Sequence, residues 1–194
     1  IVTHIKKQLI ISIENISVNL SGKTVLEQCS WKINKGEQWA ILGPNGSGKT
    51  TLVKTLWGGV PTSSGTIRFH FLKEIHPSYD LVKKYIGYVS FELHQKLMDR
   101  LASQDEWQAF SVKGEDKTLS RDIISWDGKY GGKAVEIAVS IMGISYLLSR
   151  EVSALSSGEM RKMLIARALI KNPLILILDE PFDGLDGNSR LDLK

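Results

Sequence analysis

Apolar and polar residues alternate from Ile10 to Leu20, and Ser21-Gly22-Lys23 interrupts them. A period of two ending in a turn predicts a strand that leads into a hairpin. Cys29, Trp31 and Ile33 resume the alternation, so Val25 to Ile33 reads as a second strand with one buried face. Asn34-Lys35-Gly36-Glu37 has the composition of a turn. Trp39-Ala40-Ile41-Leu42 is an unbroken apolar run ahead of a glycine-rich loop. Such a run fits a central strand buried on both faces, with Trp31 and Trp39 as core residues. A helix is expected from Lys49 to Trp57, where Gly58-Gly59 stops it. Thr66 to Phe71 and Tyr85 to Val89 are further strand candidates.

From Glu92 to Arg150 the texture changes to Ser, Asp, Lys and Glu, with helical spacing through Ala134, Ile137, Ala138 and Ile141. This stretch reads as a helical subdomain, with a polar loop or poorly ordered middle from Ser111 to Ser120. Gly158 to Ile170 is a clear helix, Pro173 closes it, and Leu174 to Leu178 is a buried strand. Strands alternating with helices give an α/β fold. The expected organisation is one domain over residues 1–194. Residues 1–91 and 155–194 form the core, and residues 92–154 form the inserted helical subdomain.

Composition narrows the class. A chain of 194 residues is about one domain by the usual prior of ~150 residues. Twenty-five Lys and Arg against 21 Asp and Glu give a net charge of +4, too mild to indicate nucleic acid. Apolar residues at 42% and charged residues at 24% exclude disordered and collagen-like classes. One cysteine, Cys29, excludes an intramolecular disulfide and a multi-cysteine zinc site, and reads as cytosolic. The histidines are scattered without metal-ligand spacing, and no window approaches the ~18 apolar residues of a membrane span. A membrane role would need a span from another chain. The start lacks both a Met and a signal-peptide shape, which points to a trimmed or excised chain. The basic pairs Lys83-Lys84 and Arg161-Lys162 read as solvated faces.

Candidate chemistry begins at Gly43-Pro44-Asn45-Gly46-Ser47-Gly48-Lys49-Thr50, which matches G-x-x-x-x-G-K-[ST] between an apolar run and a helix. Glycines let successive N–H groups turn toward one spot at a helix N-terminus, which makes an anion nest. Lys49 is expected to reach the β- and γ-phosphates, Thr50 to ligate Mg²⁺, and Thr51 to donate toward the α-phosphate. Asp179 and Glu180 end an apolar strand. Two charges there need a cation, a partner or solvent. Asp179 suits Mg²⁺, and Glu180 suits polarising the attacking water. Leu155-Ser156-Ser157-Gly158-Glu159 opens the later helix. Ser156 there is an ordinary N-cap or a second anion site.

In this order these motifs resemble the ATP-binding domain of the ABC (ATP-binding cassette) ATPases along essentially the whole chain. That family has a P-loop NTPase core, mostly a parallel sheet, with an N-terminal antiparallel β subdomain and an inserted helical subdomain. Leu155 to Glu159 resembles its Leu-Ser-Gly-Gly-Gln signature, with Ser157 and Glu159 as departures. Asp183-Gly184-Leu185-Asp186 resembles its D-loop. The resemblance implies ATP and Mg²⁺ as ligands and an ATPase whose domains pair head to tail. Each ATP would lie between Lys49 of one domain and Ser156 and Gly158 of the other. The partners implied are a second such domain, in the same chain or a homodimer, and a membrane-spanning transporter subunit. The protein would then be cytoplasmic, or peripheral on the cytoplasmic face of the membrane.

Three positions depart from the family. Leu20 stands where an aromatic residue stacks on adenine. Phe91, followed by Glu92, stands where the family has its Gln-loop glutamine, with Glu92 and Gln95 as candidate substitutes. None of His4, His70, His76 and His94 lies at the switch-histidine position, so the chain reads as C-terminally truncated and weak in hydrolysis. Val89-Ser90-Phe91-Glu92-Leu93-His94 is similar to the photorepair-protein and molybdenum-transport branch. The functions implied are the ATP-binding component of an importer for a small solute or an oxyanion such as molybdate, or a soluble tandem-domain ATPase in regulation, repair or ribosome-linked work.

Overall fold

A computed structural model describes residues 8–74, 77–93, 95–99, 103, 118–125 and 128–182. The chain divides into two compact units, Ile1–Lys83 and Lys84–Lys194.

In the first unit, β1 (Leu9–Leu20) lies between β2 (Lys23–Asn34) and β3 (Ser64–Phe69), antiparallel to both. Ser21 (φ 48°) and Gly22 (φ 78°) close the β1–β2 hairpin in the two left-handed steps a type I′ turn requires. The inward face of β1 is Ile11, Ile13, Ile16 and Val18, none more than 2% exposed. That series changes phase between Ile13 and Ile16, and a β-bulge explains it: Asn15 adopts φ 49° and restores the inward face one residue later. Ser30 pins the bulge. Its hydroxyl donates to Asn15 Oδ1 at 2.9 Å and accepts from the Asn15 N–H at 2.9 Å. α1 (Lys49–Leu56) and α2 (Tyr79–Tyr85) complete the described elements before β4.

The run Trp39–Leu42 departs from expectation. Residues 37–44 form no strand, and Trp39 and Leu42 are 56% and 89% exposed. A parallel strand exists only through ladder bonds to its neighbours. None of the described strands pairs with this segment, so its apolar run stays outside any core. Trp39 stands edge-on to the half-buried Trp31, with ring centroids 5.2 Å apart, and its indole donates to Glu37. Neither tryptophan is the buried core residue its pattern predicts.

In the second unit, β4 (Ile86–Ser90) and β5 (Ile175–Asp179) pair in parallel, with Ile86 opposite Ile175 and Ser90 opposite Asp179. The helices are α3 (Ser120–Ile124), α4 (Gly132–Ile141) and α5 (Ser157–Leu169), with 3₁₀ turns at Ser145–Leu147 and Val152–Ala154. Their core joins Ile124, Val139, Ile144, Leu147, Met160 and Met163. α4 carries two apolar stripes, and the core takes Val135, Ala138 and Val139. Ile137 and Ile141, from the other stripe, are 54% and 65% exposed. Of the expected polar loop, Ser111 to Lys117 lie outside the described residues, while Leu119 bridges to Glu151 and Ser120 begins α3.

Of the basic pairs, Lys84 is exposed as expected, whereas Arg161 is buried. Arg161 is 1% exposed, with its guanidinium 5.9 Å from the Phe91 ring centroid. Lys83 lies 4.7 Å from the Trp57 ring centroid. Aromatic faces attract cations, so Arg161 packs inward along a ring and the half-buried Lys83 lies against one.

Candidate functional site

The phosphate loop lies in the first unit. Gly46 and Gly48 take φ 81° and 89°, values that favour glycine. At Gly48 a Cβ would also stand 2.8 Å from the Leu26 side chain and 3.1 Å from the Val25 carbonyl. The glycine is therefore required by space as well as by φ. α1 follows directly, with Gly48 as its N-cap, no side-chain cap hydrogen bond and no acidic residue in its first turn. Its dipole thus points a positive end at the loop with no carboxylate of its own to neutralise it. Lys49 Nζ donates to the Gly43 and Pro44 carbonyls at 2.9 and 3.0 Å. Pro44, Asn45 and Ser47 are exposed on the loop, and Thr50 and Thr51 sit half-buried in the first turn of α1. This donor set suits an anion, and phosphate is the anion that such loops take.

The other candidate groups lie in the second unit. Asp179 ends β5 and is only 8% exposed. Tyr88 Oη donates to Asp179 Oδ2 at 2.9 Å. Burial, and then this bond, hold the Tyr88 phenol well above its usual pKa. Glu180 is exposed and takes φ 51°. A buried carboxylate that accepts from a neutral donor suits a hard cation such as Mg²⁺, which takes oxygen ligands. Among the described residues no cluster of three or more His, Cys, Asp or Glu forms a metal site by itself, so the remaining ligands would be water and phosphate oxygens.

Ser156 is the N-cap of α5 in a full capping box. Its hydroxyl accepts from the Glu159 N–H at 3.2 Å, and Glu159 Oε2 accepts from the Ser156 N–H at 3.0 Å. Arg150 Nη1 and the Tyr146 hydroxyl donate to Glu159 Oε1 at 3.1 and 3.3 Å. The Ser156 N–H, ahead of the opposing effect of burial, holds the Glu159 carboxyl below its ordinary range. Gly158 is buried in the first turn.

The structure thus gathers residues 43–51 at one loop, Asp179 and Glu180 at one strand end, and Ser156 and Gly158 at one helix start. Leu20 is 40% exposed at the hairpin tip. His70 Nε2 lies 3.0 Å from the Ser12 hydroxyl. His4, His76, His94 and Asp183 to Asp186 lie outside the described residues. Sequence reasoning missed Tyr88 as a partner of Asp179, Arg161 against Phe91, and the Arg150–Tyr146 grip on Glu159. Only the capping box had a local signal, in the spacing Ser-x-x-Glu.

The family model described as ABC transporter matches residues 26–183. The ABC transporter ATP-binding protein ModF of Escherichia coli (strain K12) is 37% identical over 180 residues, covering 90% of this chain and 33% of that protein. The zinc import ATP-binding protein ZnuC of Ruegeria sp. (strain TM1040) is 34% identical over 180 residues, covering 91% of this chain and 60% of that protein. Among solved structures, cbiO1 from Clostridium perfringens, part of the ABC transporter complex cbiONQ, superposes with a TM-score of 0.76 at 28% identity. That match covers 96% of this chain and 71% of that one. The chain spans only a third of ModF and three fifths of ZnuC. Among the described residues no helix is long and apolar enough to cross a membrane.

Proposed function

Because the chain belongs to the ABC transporter family of ATP-binding domains, we propose that it binds MgATP and hydrolyses its terminal phosphoanhydride. The observation that carries this reading is the uncapped, acid-free N-terminus of α1 behind the glycine loop, with Lys49 at its head. Gly43 to Thr51 bind the phosphates through the loop N–H groups, which Pro44 alone lacks, and Lys49 exchanges its two carbonyl partners for phosphate oxygens. That exchange trades neutral acceptors for charged ones, which strengthens each bond. Thr50 and Asp179 would hold Mg²⁺, which when bound offsets charge on the phosphoryl oxygens. Glu180, solvated at the strand end, orients and polarises the attacking water. Two such domains pair head to tail, so that Ser156 and Gly158 of one donate to the terminal phosphate held by the other.

The whole protein, on this reading, is the ATP-binding component of an importer for a small inorganic solute, docked on a separate membrane-spanning subunit. Relatives named for zinc import support a metal ion as cargo. Similarity to the molybdenum-transport branch supports an oxyanion instead. A second reading has its own observation: ModF is about three times the length that this chain matches, which favours a soluble protein with two such domains.

Nucleotide binding tests the reading at its base. Lys49→Ala should lose titratable ATP binding in calorimetry while keeping its fold by circular dichroism. ATP affinity equal to that of the parent would refute the phosphate-loop assignment. Co-purification of the full-length protein with an integral membrane protein supports the importer, and its absence supports the soluble two-domain protein.

A further inference from the structure

We propose that Tyr88 is a positioning residue for the Asp179 carboxylate. The proposal rests on the reading that Asp179 holds the metal. It assigns what fixes that carboxylate.

The pairing of β4 with β5 sets up the contact. Tyr88 lies opposite Ile177, and Ser90 lies opposite Asp179. Residues two apart on a strand share a face, so Tyr88, Ser90, Ile177 and Asp179 line one face of the pair. All four are buried, with Ser90 at 4% exposed and Tyr88 and Asp179 at 8%. From mid-strand the long Tyr88 side chain reaches past Ile177 to Asp179 Oδ2, at 2.9 Å. Ser90 Oγ, on the same face, accepts from the Leu93 N–H at 3.2 Å.

The direction of the bond follows from the donor inventory. A carboxylate only accepts, so the single phenolic hydrogen lies toward Asp179. The terminal torsion of an aspartate is broad and roughly two-fold. A short bond to Oδ2 selects one setting, and so decides where the other oxygen points. Groups that orient metal ligands in this way act at one remove, as Tyr88 does here.

The test uses the full chain with Mn²⁺ as the probe. Protein is held in excess over a non-hydrolysable ATP analogue, and free Mn²⁺ is read by electron paramagnetic resonance. Tyr88→Phe keeps the ring and removes one hydroxyl. It should weaken Mn²⁺ roughly 10- to 100-fold, the usual effect of losing a group that orients a ligand. Affinity for the analogue without metal should not change, whereas a merely misfolded variant would lose both. Asp179→Asn is the control for the underlying reading. If Asp179→Asn loses Mn²⁺ and Tyr88→Phe binds it like the parent, the positioning role is overturned. If Asp179→Asn itself binds Mn²⁺ like the parent, the metal assignment falls and takes the positioning role with it. Should Tyr88→Phe not fold, site-specific fluorotyrosine at Tyr88 carries the test, because it keeps the side chain's shape and changes the donor strength of its hydroxyl. A shifted Mn²⁺ affinity is expected, and parent-like affinity overturns the positioning role.

Discussion

Glu180 occupies the left-handed region, φ 51°, directly after the buried Asp179. A side chain in that region costs roughly 1–2 kcal/mol through the clash of Cβ with the following carbonyl. Glycine avoids the clash, but loses more backbone freedom on folding, by roughly 0.5–1 kcal/mol. The two terms nearly cancel, with the balance toward glycine. Glu180→Gly should therefore melt at or above the parent temperature, by calorimetry, while ATP turnover is lost. That pattern marks strain held at a functional position, with the carboxylate kept for its chemistry. A clear drop in melting temperature would show that the Glu180 side chain itself supports the fold. Gly48 is the opposite case, because φ and neighbouring atoms both demand glycine there.

At the scale of elements, α5 shows how a local sequence rule becomes a site. Ser156 and Glu159 satisfy each other's N–H groups, and Arg150 and Tyr146 hold Glu159 from outside the helix. Ser156→Ala should destabilise the second unit by about 1 kcal/mol in urea denaturation, the usual loss for an N-cap. The pH dependence follows from the lowered pKa of Glu159. A carboxyl depressed in the folded state adds stability above its unfolded value, and loses it as pH falls through the folded value. The parent and Glu159→Gln should therefore converge in stability as pH falls through the folded-state value of Glu159, because the protonated carboxyl and the amide are both neutral. A difference that stayed constant into acid would exclude the Glu159 carboxylate as its source. Periodicity made β1, β2, α1, α5 and β5 legible, and the phosphate loop was readable because its chemistry is compressed into eight consecutive residues. Trp39–Leu42 was misread because an apolar run states only a wish for burial, while a strand also needs partners. The α4 stripe was ambiguous because Lys133 to Ile141 offers two overlapping apolar faces. Tyr88 and Arg161 were out of reach because their partners are 91 and 70 residues away in the chain, and no local pattern records them.

For the whole molecule, the two helix starts pose one question. The N-terminus of α1 carries no side-chain cap or acid of its own, and that of α5 presents a Ser156 hydroxyl that accepts from Glu159 N–H and keeps its hydrogen to donate. If both grip one nucleotide across a pair of chains, ATP binds the dimer more tightly than the monomer. Mass action then makes association depend on ATP, by as much as those two affinities differ. Hydrolysis removes the terminal phosphate that α5 grips, so the dimer persists only while the water cannot attack. Glu180→Gln keeps the size of the side chain and removes its ability to draw a proton from water. In the full-length protein with MgATP, Glu180→Gln should elute as a stable dimer by light scattering, the parent as a dimer only briefly, and Lys49→Ala as a monomer throughout. Adding Ser156→Ala to Glu180→Gln should weaken the dimer without weakening ATP binding to the monomer, because on this reading the hydroxyl, beyond its capping bond, reaches only the partner's phosphate. A Glu180→Gln protein that binds ATP fully and stays monomeric would remove the pairing, and with it the reason for α5 to present a donor at all.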